Sequence, residues 1–168
     1  EDQIDFQAPE DELAAVVRRD AIQHPFFEAL HDWAASVYHF PFGSTLGKEK
    51  FVVFVKDQTG ARADFNPRNT QDIHAVLRRG LEDFGQQYKS VIQSDMSAIG
   101  YELEDVGIGP PVSIKIEGPL PSEAVGVFVK EAGLTGITDQ HGMSQGMYRT
   151  LSVLVHVNYG ILSGKPKC

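Results

Sequence analysis

Hydrophobic residues recur at intervals of three and four along five stretches of the chain, and this spacing predicts amphipathic helices. The first stretch follows Pro9, which suits the opening turn of a helix because its missing N–H would be unpaired there. The second follows Pro25 and has the strongest apolar stripe of the first half, over residues 26–38. Leu30 and Trp33 belong to this stripe, and we expect it to be buried.

Two further helices are predicted before residue 100. The third is expected to begin after Asn69 or Thr70, either of which can cap it, with Asp72 favourably placed in its first turn. Its core-facing residues are Ile73, Val76, Leu77, Leu81 and Phe84. Gly85 is expected to separate it from the fourth helix. The apolar face of that helix consists of Tyr88, Val91, Ile92 and Met96.

Short runs rich in β-branched residues, or alternating between apolar and polar residues, predict strands. FVVFV at residues 51–55 is one such run, and KDQTG after it has the composition of a hairpin turn. Three more runs, YELEDVGIG, VSIKIEG and VGVFVKEAG, predict a mostly antiparallel sheet. The stretch GLTGITDQHGM is then expected to be a loop, and residues 144–159 are expected to form the fifth helix.

These elements predict an α+β fold in a single segment, residues 1–168. Residues 1–100 would be mainly helical with a hairpin, residues 101–140 would form antiparallel strands, and residues 141–160 would form a loop and a helix. A chain of 168 residues is long enough for one domain with a sizeable core.

Composition narrows the functional classes. The 42% hydrophobic and 23% charged residues are typical of a folded protein. A net charge of −8 gives no overall attraction to nucleic acids or anionic membranes. The single cysteine, Cys168, cannot form an intramolecular disulfide, which favours a reducing, cytoplasmic location. No apolar stretch reaches the roughly 20 residues of a membrane-spanning helix.

One stretch looks like a phosphate-binding loop but departs from its pattern. GSTLGK, residues 43–48, has three residues between its glycines where the Walker A motif has four. Glu49 stands where that motif has a magnesium-binding hydroxyl group. No apolar strand leads into the stretch and no helical pattern follows it, so we predict an ordinary turn.

The sequence indicates neither a metal centre nor a catalytic serine. The six histidines include no pair one helical turn apart and lie beside no cysteine ligand set. Gly142, Ser144 and Gly146 fit the letters of the G-x-S-x-G hydrolase elbow, but no apolar strand precedes them and no acidic residue follows. We therefore predict no catalytic residue, and a serine hydrolase, which a serine-directed covalent probe would test, is the weakest interpretation.

The start of the fifth helix has the features of an anion site. Ser144 can cap the helix, and Gly146 has no side chain to block a ligand. The unpaired N–H groups at the positive end of the helix dipole suit a phosphate. Arg149, Ser152 and His156 are expected to form a polar stripe along the helix. The opposite, buried face is predicted to contain Met147, Leu151, Leu154, Val155 and Tyr159.

The stretch MSQGMYRTLSVLVHV resembles the signature region of ABC-type ATPases, in the variant of the ABC-like AAA family ATPases similar to SMC and recombination-repair proteins. That pattern is a hydrophobic residue, Ser, any residue, Gly, two residues and often Arg, before an apolar helix. It is matched by Met143, Ser144, Gly146, Arg149 and residues 151–157. The preceding VGVFVKEAGLTGITDQHG is similar to the strand and turn that lead into the family's signature.

The resemblance implies that Ser144 and Gly146, with Gln145 and Arg149 beside them, contact the γ-phosphate of ATP bound by the partner protomer of a homodimer. His141 is implied only as a neighbour of that nucleotide. ATP and Mg²⁺ would be cofactors of the complete protein, whereas this lobe alone would neither bind ATP tightly nor hydrolyse it. The family also suggests a role in anti-phage defence or DNA repair, and a nuclease or nucleic-acid partner. These suggestions apply to this chain only by analogy.

Two motifs of that family are missing from the 168 residues. There is no Walker A loop, and the Walker B strand, which follows the signature helix in the family, would begin near Cys168. We therefore expect the chain to be the interior, signature-helix lobe of a longer ATPase. The alternative is a non-catalytic binding or interaction module in which Ser144 only caps a core helix.

Overall fold

The structure, a computed structural model, describes Pro25 and residues 28–50, 52–55, 66–113 and 122–164. The chain divides into two units, residues 1–37 with Cys168 and residues 38–167. The helix predicted after Pro9, the turn predicted at residues 56–60 and most of the run VSIKIEG lie outside the described residues. The second unit contains the sheet and the helix of the candidate site.

The first unit has helix α1, Glu28–Ser36, among its described residues. This helix is shorter than predicted, and the predicted burial of its apolar stripe is wrong at Leu30 and Trp33. Leu30 and Trp33 expose 55% and 56% of their surface. Periodicity identifies which residues share a helix face, but it does not establish that another element covers that face.

The second unit combines an antiparallel sheet with two long helices, which confirms the predicted α+β class. Its elements are β1 (Val52–Val55), α2 (Ile73–Ala98), β2 (Leu103–Gly109), β3 (Ser122–Glu131), β4 (Thr138–Asp139) and α3 (Gln145–Leu162). Strands β1 and β2 lie within runs that the sequence predicts as strands. Strand β3 overlaps the predicted run VGVFVKEAG but begins three residues before it, at Ser122. Strand β4 lies in a stretch predicted to be a loop, so that prediction is wrong at these two residues.

The central strand of the sheet is β3. Strand β2 runs antiparallel to it along residues 126–131. Strand β1 pairs with residues 122–125, and β4 pairs with Phe128 and Val129. Because β2 already occupies one edge at Phe128 and Val129, β1 and β4 lie end to end along the other edge. On that edge, residues 126 and 127 lie between the residues paired with β1 and those paired with β4, and this gap becomes important at the candidate site.

Helix α2 begins at Ile73, where Asp72 is the N-cap and accepts a hydrogen bond from the Ala75 N–H at 3.3 Å. The prediction of Asn69 or Thr70 as the cap is therefore wrong. Asn69 instead accepts from the Gln71 N–H, and the Thr70 hydroxyl donates to the His39 carbonyl. Several polar residues in succession can each cap a helix, and the sequence alone does not choose between them.

The predicted interruption at Gly85 is confirmed, because this residue has φ 54° and ψ −128° within the α2 element. The two halves of α2 meet at a close packing contact between Gly80 and Tyr88. A Cβ atom at position 80 would lie 2.1 Å from the Tyr88 Cε1 atom, so no larger residue fits there without a shift. The Tyr88 hydroxyl then donates to the Val155 carbonyl of α3 at 2.6 Å. One ring thereby ties both halves of α2 to α3.

Helix α3 extends to Leu162, three residues beyond its predicted end. Its predicted apolar face is buried, with Leu154 only partly covered. The predicted polar stripe is also largely buried, because Ser152 and His156 are fully inaccessible to solvent. The His156 ring nitrogens lie 2.7 Å from the Ser152 carbonyl oxygen and 3.3 Å from that of Asn69. Burial lowers the pKa of His156, and these two contacts act in the opposite direction.

Candidate functional site

The candidate site is the start of α3 together with the turn before it. Ser144 is the N-cap, with φ −62° and ψ 154°, as the sequence predicts. Its Oγ accepts from the Met147 N–H at 3.0 Å, and its carbonyl accepts from the Tyr148 N–H at 3.0 Å. The N–H groups of Gln145 and Gly146 have no acceptor among the residues that the structure describes. These two groups point along the helix axis at its positive end.

The surface at this helix start is open. Ser144 and Gly146 are exposed, and Gln145 is half-buried. A Cβ atom at position 146 would lie 3.8 Å from the Tyr101 hydroxyl oxygen and 3.9 Å from the Ser144 Oγ, which are ordinary contact distances. Nothing among the described residues therefore requires a glycine at this position. By contrast, the other glycine of α3, Gly160, would bring a Cβ within 3.2 Å of the Tyr38 hydroxyl oxygen.

The side chain of Arg149 turns toward an earlier part of the chain. Its Nη2 donates to the Ser44 carbonyl at 3.2 Å. Its Nε is inaccessible to solvent and has no hydrogen-bond partner among the described residues. The structure thus shows Arg149 in contact with the loop before β1, and its predicted contact with a nucleotide stays a prediction.

Residues 44–50, hereafter the 44–50 segment, lie against the start of α3 and the turn before it. The Tyr148 hydroxyl donates to the Leu46 carbonyl at 3.4 Å, and Lys48 Nζ donates to the His141 carbonyl at 3.4 Å. This segment includes most of the Walker A look-alike, and it forms turns without a helix after it, which confirms the predicted turn. A phosphate loop presents N–H groups to its ligand, whereas this segment directs carbonyl oxygens toward α3.

Gln140 joins the 44–50 segment to the sheet, and its side chain is completely buried. Its Nε2 donates to the carbonyls of Lys48 at 2.8 Å and Lys50 at 2.6 Å. Its Oε1 accepts from the Val127 N–H at 2.9 Å, and its own backbone N–H donates to the Val127 carbonyl at 2.8 Å. The side-chain amide thus occupies the gap between β1 and β4 as a peptide group of a strand would.

The remaining partner of the Gln140 amide is His74 of α2. His74 Nε2 lies 2.6 Å from Gln140 Oε1. Since the Gln140 amide nitrogen donates to two carbonyls, its oxygen faces His74, and His74 must be the donor in this bond. Burial lowers the pKa of His74, and this effect outweighs the opposing effects of Gln140 and Asp72. Every hydrogen-bonding position of the Gln140 amide is therefore filled.

Asp139, the residue before Gln140, organises the turn that leads into α3. The residue is buried, with 2% of its surface exposed. One oxygen accepts from the N–H groups of Val112 at 2.8 Å and Ser113 at 2.7 Å. The other accepts from the N–H groups of His141 and Gly142, each at 3.1 Å. The Ser113 hydroxyl donates to both oxygens at 2.7 Å.

These contacts keep Asp139 ionised. Burial by itself would raise the pKa of this carboxyl group, but the hydrogen bonds from Ser113, Gly142 and Val112 outweigh burial and lower the pKa to about 2. The carboxylate therefore holds the turn before Ser144 in place across the whole neutral range.

We expect Asp139→Asn to lower the free energy of unfolding by about 2 kcal/mol at pH 7, the value of a pKa lowered from 3.8 to about 2. Because the folded-state pKa is depressed, this stabilisation is fully present above about pH 4 and is lost as the pH falls toward 2. Urea unfolding at several pH values between 7 and 2 would measure it. The wild type should lose stability over that window more steeply than the variant.

Glu49→Gln is the matched control, because Glu49 is exposed and the substitution removes the same charge as Asp139→Asn. It should shift the stability by less than about 0.5 kcal/mol and leave its pH dependence unchanged. Parallel pH profiles for wild type and Asp139→Asn would contradict the role given to Asp139.

Sequence reasoning places Ser144, Gln145 and Gly146 at this site, and the structure brings these three residues together at the helix start. It did not identify Asp139 or Gln140, which are the residues that fix the turn. The only local signal is an acidic residue shortly before a glycine, which favours a turn in which the carboxylate accepts backbone N–H groups. The partners of Gln140 are distant in sequence, so no local pattern reveals them.

Among the described residues, no group of three or more His, Cys, Asp or Glu side chains could hold a metal ion. No helix in that part of the chain is long and apolar enough to cross a membrane. Comparison with known proteins finds no matching family model, no similar curated protein and no similar solved structure. No relative therefore assigns a role to any residue of the site.

Proposed function

We propose that this chain contributes the signature element of an ABC-type ATPase. In this proposal Ser144, Gln145 and Gly146 contact the γ-phosphate of an ATP molecule that a partner protomer holds. The partner is a second copy of the same protein in a nucleotide-dependent dimer. The role of this element is to complete the partner's ATP site when the two protomers close.

The observation that carries the proposal is Gly146. Glycine in a helix is less stable than alanine by up to about 1 kcal/mol. Its φ is not in the left-handed region, and a Cβ atom would meet only ordinary contacts there. Folding of the described residues therefore does not explain this glycine, whereas a ligand that approaches the backbone does.

The electrostatics of the helix start supports the same conclusion. The Gln145 and Gly146 N–H groups have no acceptor among the described residues, and an 18-residue helix places partial positive charge at this end. The opposite, buried face of α3 holds the helix rigidly in the core. The nearby Asp139 carboxylate stays ionised, but five N–H and O–H groups donate to its oxygens and reduce the repulsion that it exerts on a phosphate.

The proposal requires a Walker A loop, magnesium ligands and a catalytic base from outside these 168 residues. ATP and Mg²⁺ would be bound there, and the present chain would neither bind ATP tightly nor hydrolyse it alone. DNA repair and anti-phage defence are the settings that the family resemblance suggests.

A second candidate is a non-catalytic binding or interaction module. The observation in its favour is the hydrogen bond from the Met147 N–H to Ser144 Oγ, which caps the helix without any ligand. This candidate leaves the glycine at position 146 without a reason, so we rank it second.

Gly146→Ala in the full-length protein separates the two candidates. If the helix start contacts a γ-phosphate, the added methyl group should lower the turnover number for ATP by about tenfold or more, because close approach to the backbone is lost. The melting temperature should stay the same or rise slightly, since alanine favours the helix. ATP turnover and thermal unfolding would be measured on the same preparation.

Gly136→Ala is the matched control, since a Cβ atom there would meet nothing within 4 Å and the residue lies in the turn between β3 and β4. It should leave turnover unchanged. If Gly146→Ala behaves like Gly136→Ala, the signature proposal is wrong and the interaction module becomes the better interpretation.

A further inference from the structure

The backbone of the 44–50 segment has an unusual conformation at its centre. Leu46 has a positive φ of 50° although it carries a side chain, and that side chain is fully buried. Gly47 follows with φ 81°, and a Cβ atom there would lie 2.2 Å from the Gln71 carbonyl oxygen. Such a conformation in a residue other than glycine persists only where the surroundings hold it.

Side chains from α3 and from the turn before it hold this segment. Arg149 and Tyr148 donate to the carbonyls of Ser44 and Leu46. Ser44 is itself fixed, because its hydroxyl donates to the Pro41 carbonyl at 2.8 Å and accepts from the Leu46 N–H at 3.2 Å. The segment and the first turns of α3 therefore form one hydrogen-bonded unit.

From these contacts we propose that Arg149 is a positioning residue, which holds the 44–50 segment against the signature turn, and that it is not a phosphate ligand. This inference rests on the proposed function, because the turn that it positions is the proposed γ-phosphate contact. It changes the role that the family resemblance gives to Arg149. Its guanidinium already donates to the Ser44 carbonyl oxygen. Its Nε is inaccessible to solvent, so a nucleotide cannot reach that atom.

The two roles differ in what they require of the side chain. A carbonyl oxygen accepts a hydrogen bond from any donor, charged or neutral, whereas a phosphate contact depends strongly on positive charge. Glutamine at position 149 keeps an N–H donor and removes the charge. Alanine removes both the N–H donor and the charge, and lysine keeps the charge but lacks the planar guanidinium group.

The experiment compares Arg149→Ala, Arg149→Gln and Arg149→Lys in the full-length protein. The readouts are the turnover number for ATP, the dissociation constant for ATP, and hydrogen exchange of peptides covering residues 41–50. Arg149→Ala should lower the turnover number about tenfold, the size expected for one lost hydrogen bond from a charged donor. The ATP dissociation constant should change by less than about twofold, and exchange in the 41–50 peptides should become faster.

Arg149→Gln should restore slow exchange in those peptides and recover turnover to within about threefold of wild type, since a neutral donor suffices for the carbonyl contact. Arg78→Ala, on the exposed side of α2, is the control and should change none of these values. If Arg149→Gln is as impaired as Arg149→Ala while exchange stays slow in both, the guanidinium acts on a phosphate and the inference is wrong.

Failure of this inference is distinguishable from failure of the proposed function. If Gly146→Ala lowers turnover and Arg149→Ala does not, the signature proposal stands and the positioning role is wrong. If Gly146→Ala has no effect on turnover, the signature proposal fails. The hydrogen-exchange comparison still decides whether Arg149 holds the 44–50 segment, and unchanged exchange in Arg149→Ala would overturn that as well.

Discussion

Replacing Gln140 by leucine is expected to lower the free energy of unfolding by about 4 kcal/mol. The two side chains are similar in size, so the effect comes from hydrogen bonds and not from a cavity. The change leaves the Val127 N–H, the carbonyls of Lys48 and Lys50, and the His74 ring without their partner in a buried site. Each buried group left unpaired costs about 1–3 kcal/mol, partly recovered by relaxation. Urea unfolding, followed by circular dichroism, would measure the loss.

Two further variants define the cause. Gln140→Glu has the same shape but cannot donate to the Lys48 and Lys50 carbonyls, and it buries a carboxylate against them, so it should be at least as destabilising. Gln87→Leu, at an exposed position of α2, should change the stability by less than about 0.5 kcal/mol. The contradicting result is a free energy of unfolding for Gln140→Leu within about 1 kcal/mol of wild type, an ordinary effect for a single mutation. The hydrogen bonds of the Gln140 amide would then make no net contribution to stability.

Replacing Ser144 by aspartate is expected to lower ATP turnover by the full-length protein by more than about 100-fold. Aspartate is as good a helix N-cap as serine, so α3 should form and the melting temperature should hardly change. Under the proposed function, however, the new carboxylate would face the γ-phosphate at a few ångströms, where two like charges repel by several kcal/mol. Steady-state ATP hydrolysis, with thermal unfolding on the same sample, would check both halves of the expectation.

Ser144→Asn is the matched control because asparagine has the shape of aspartate, caps equally well and carries no charge. Under the proposed function it should retain most of the turnover, and the dissociation constant for ATP should be the same in both variants. Equal turnover in Ser144→Asp, Ser144→Asn and wild type would mean that no phosphate reaches this helix start. Ser144 would then be a helix cap and nothing more.

The helices of the second unit were predictable because their information is local. The apolar residues of α2 and α3 recur with the period of the helix, so their buried faces follow from the sequence. Gly85 interrupts α2 where a glycine in such a pattern suggests a break. The cap of α3 follows in the same way, since Ser144 directly precedes the apolar run.

Features that depend on contacts between distant residues were not predictable. Leu30 and Trp33 have helical spacing, yet the structure leaves them exposed. His156 is polar and was expected on a polar stripe, but carbonyl partners on two different segments allow its burial. Hydrogen bonding, and not hydrophobicity, decides such positions, and it becomes visible only in three dimensions.

The candidate site also contains residues that a local pattern identifies and residues that only distant contacts reveal. Ser144, Gln145 and Gly146 are neighbours in sequence, so a short motif could identify them. Asp139 and Gln140 fix the turn through partners up to 92 residues away, and their letters alone do not show this. Arg149 was identified as part of the motif, but only its contact with Ser44 suggests the role proposed for it.

The arrangement of β1 and β4 on one edge of β3 also orders the folding of the second unit. Strands β2, β3 and β4 are neighbours in the chain, so their pairing closes short loops, whereas β1 pairs with β3 across more than 60 residues. Closing a long loop costs chain entropy before any strand pairing compensates for it. We therefore expect strands β2 to β4 to form the early contacts and β1 to join an edge of β3 that already exists. The Gln140 amide, bonded to Lys48 and Lys50 just before β1, would then mark the point at which the distant strand attaches.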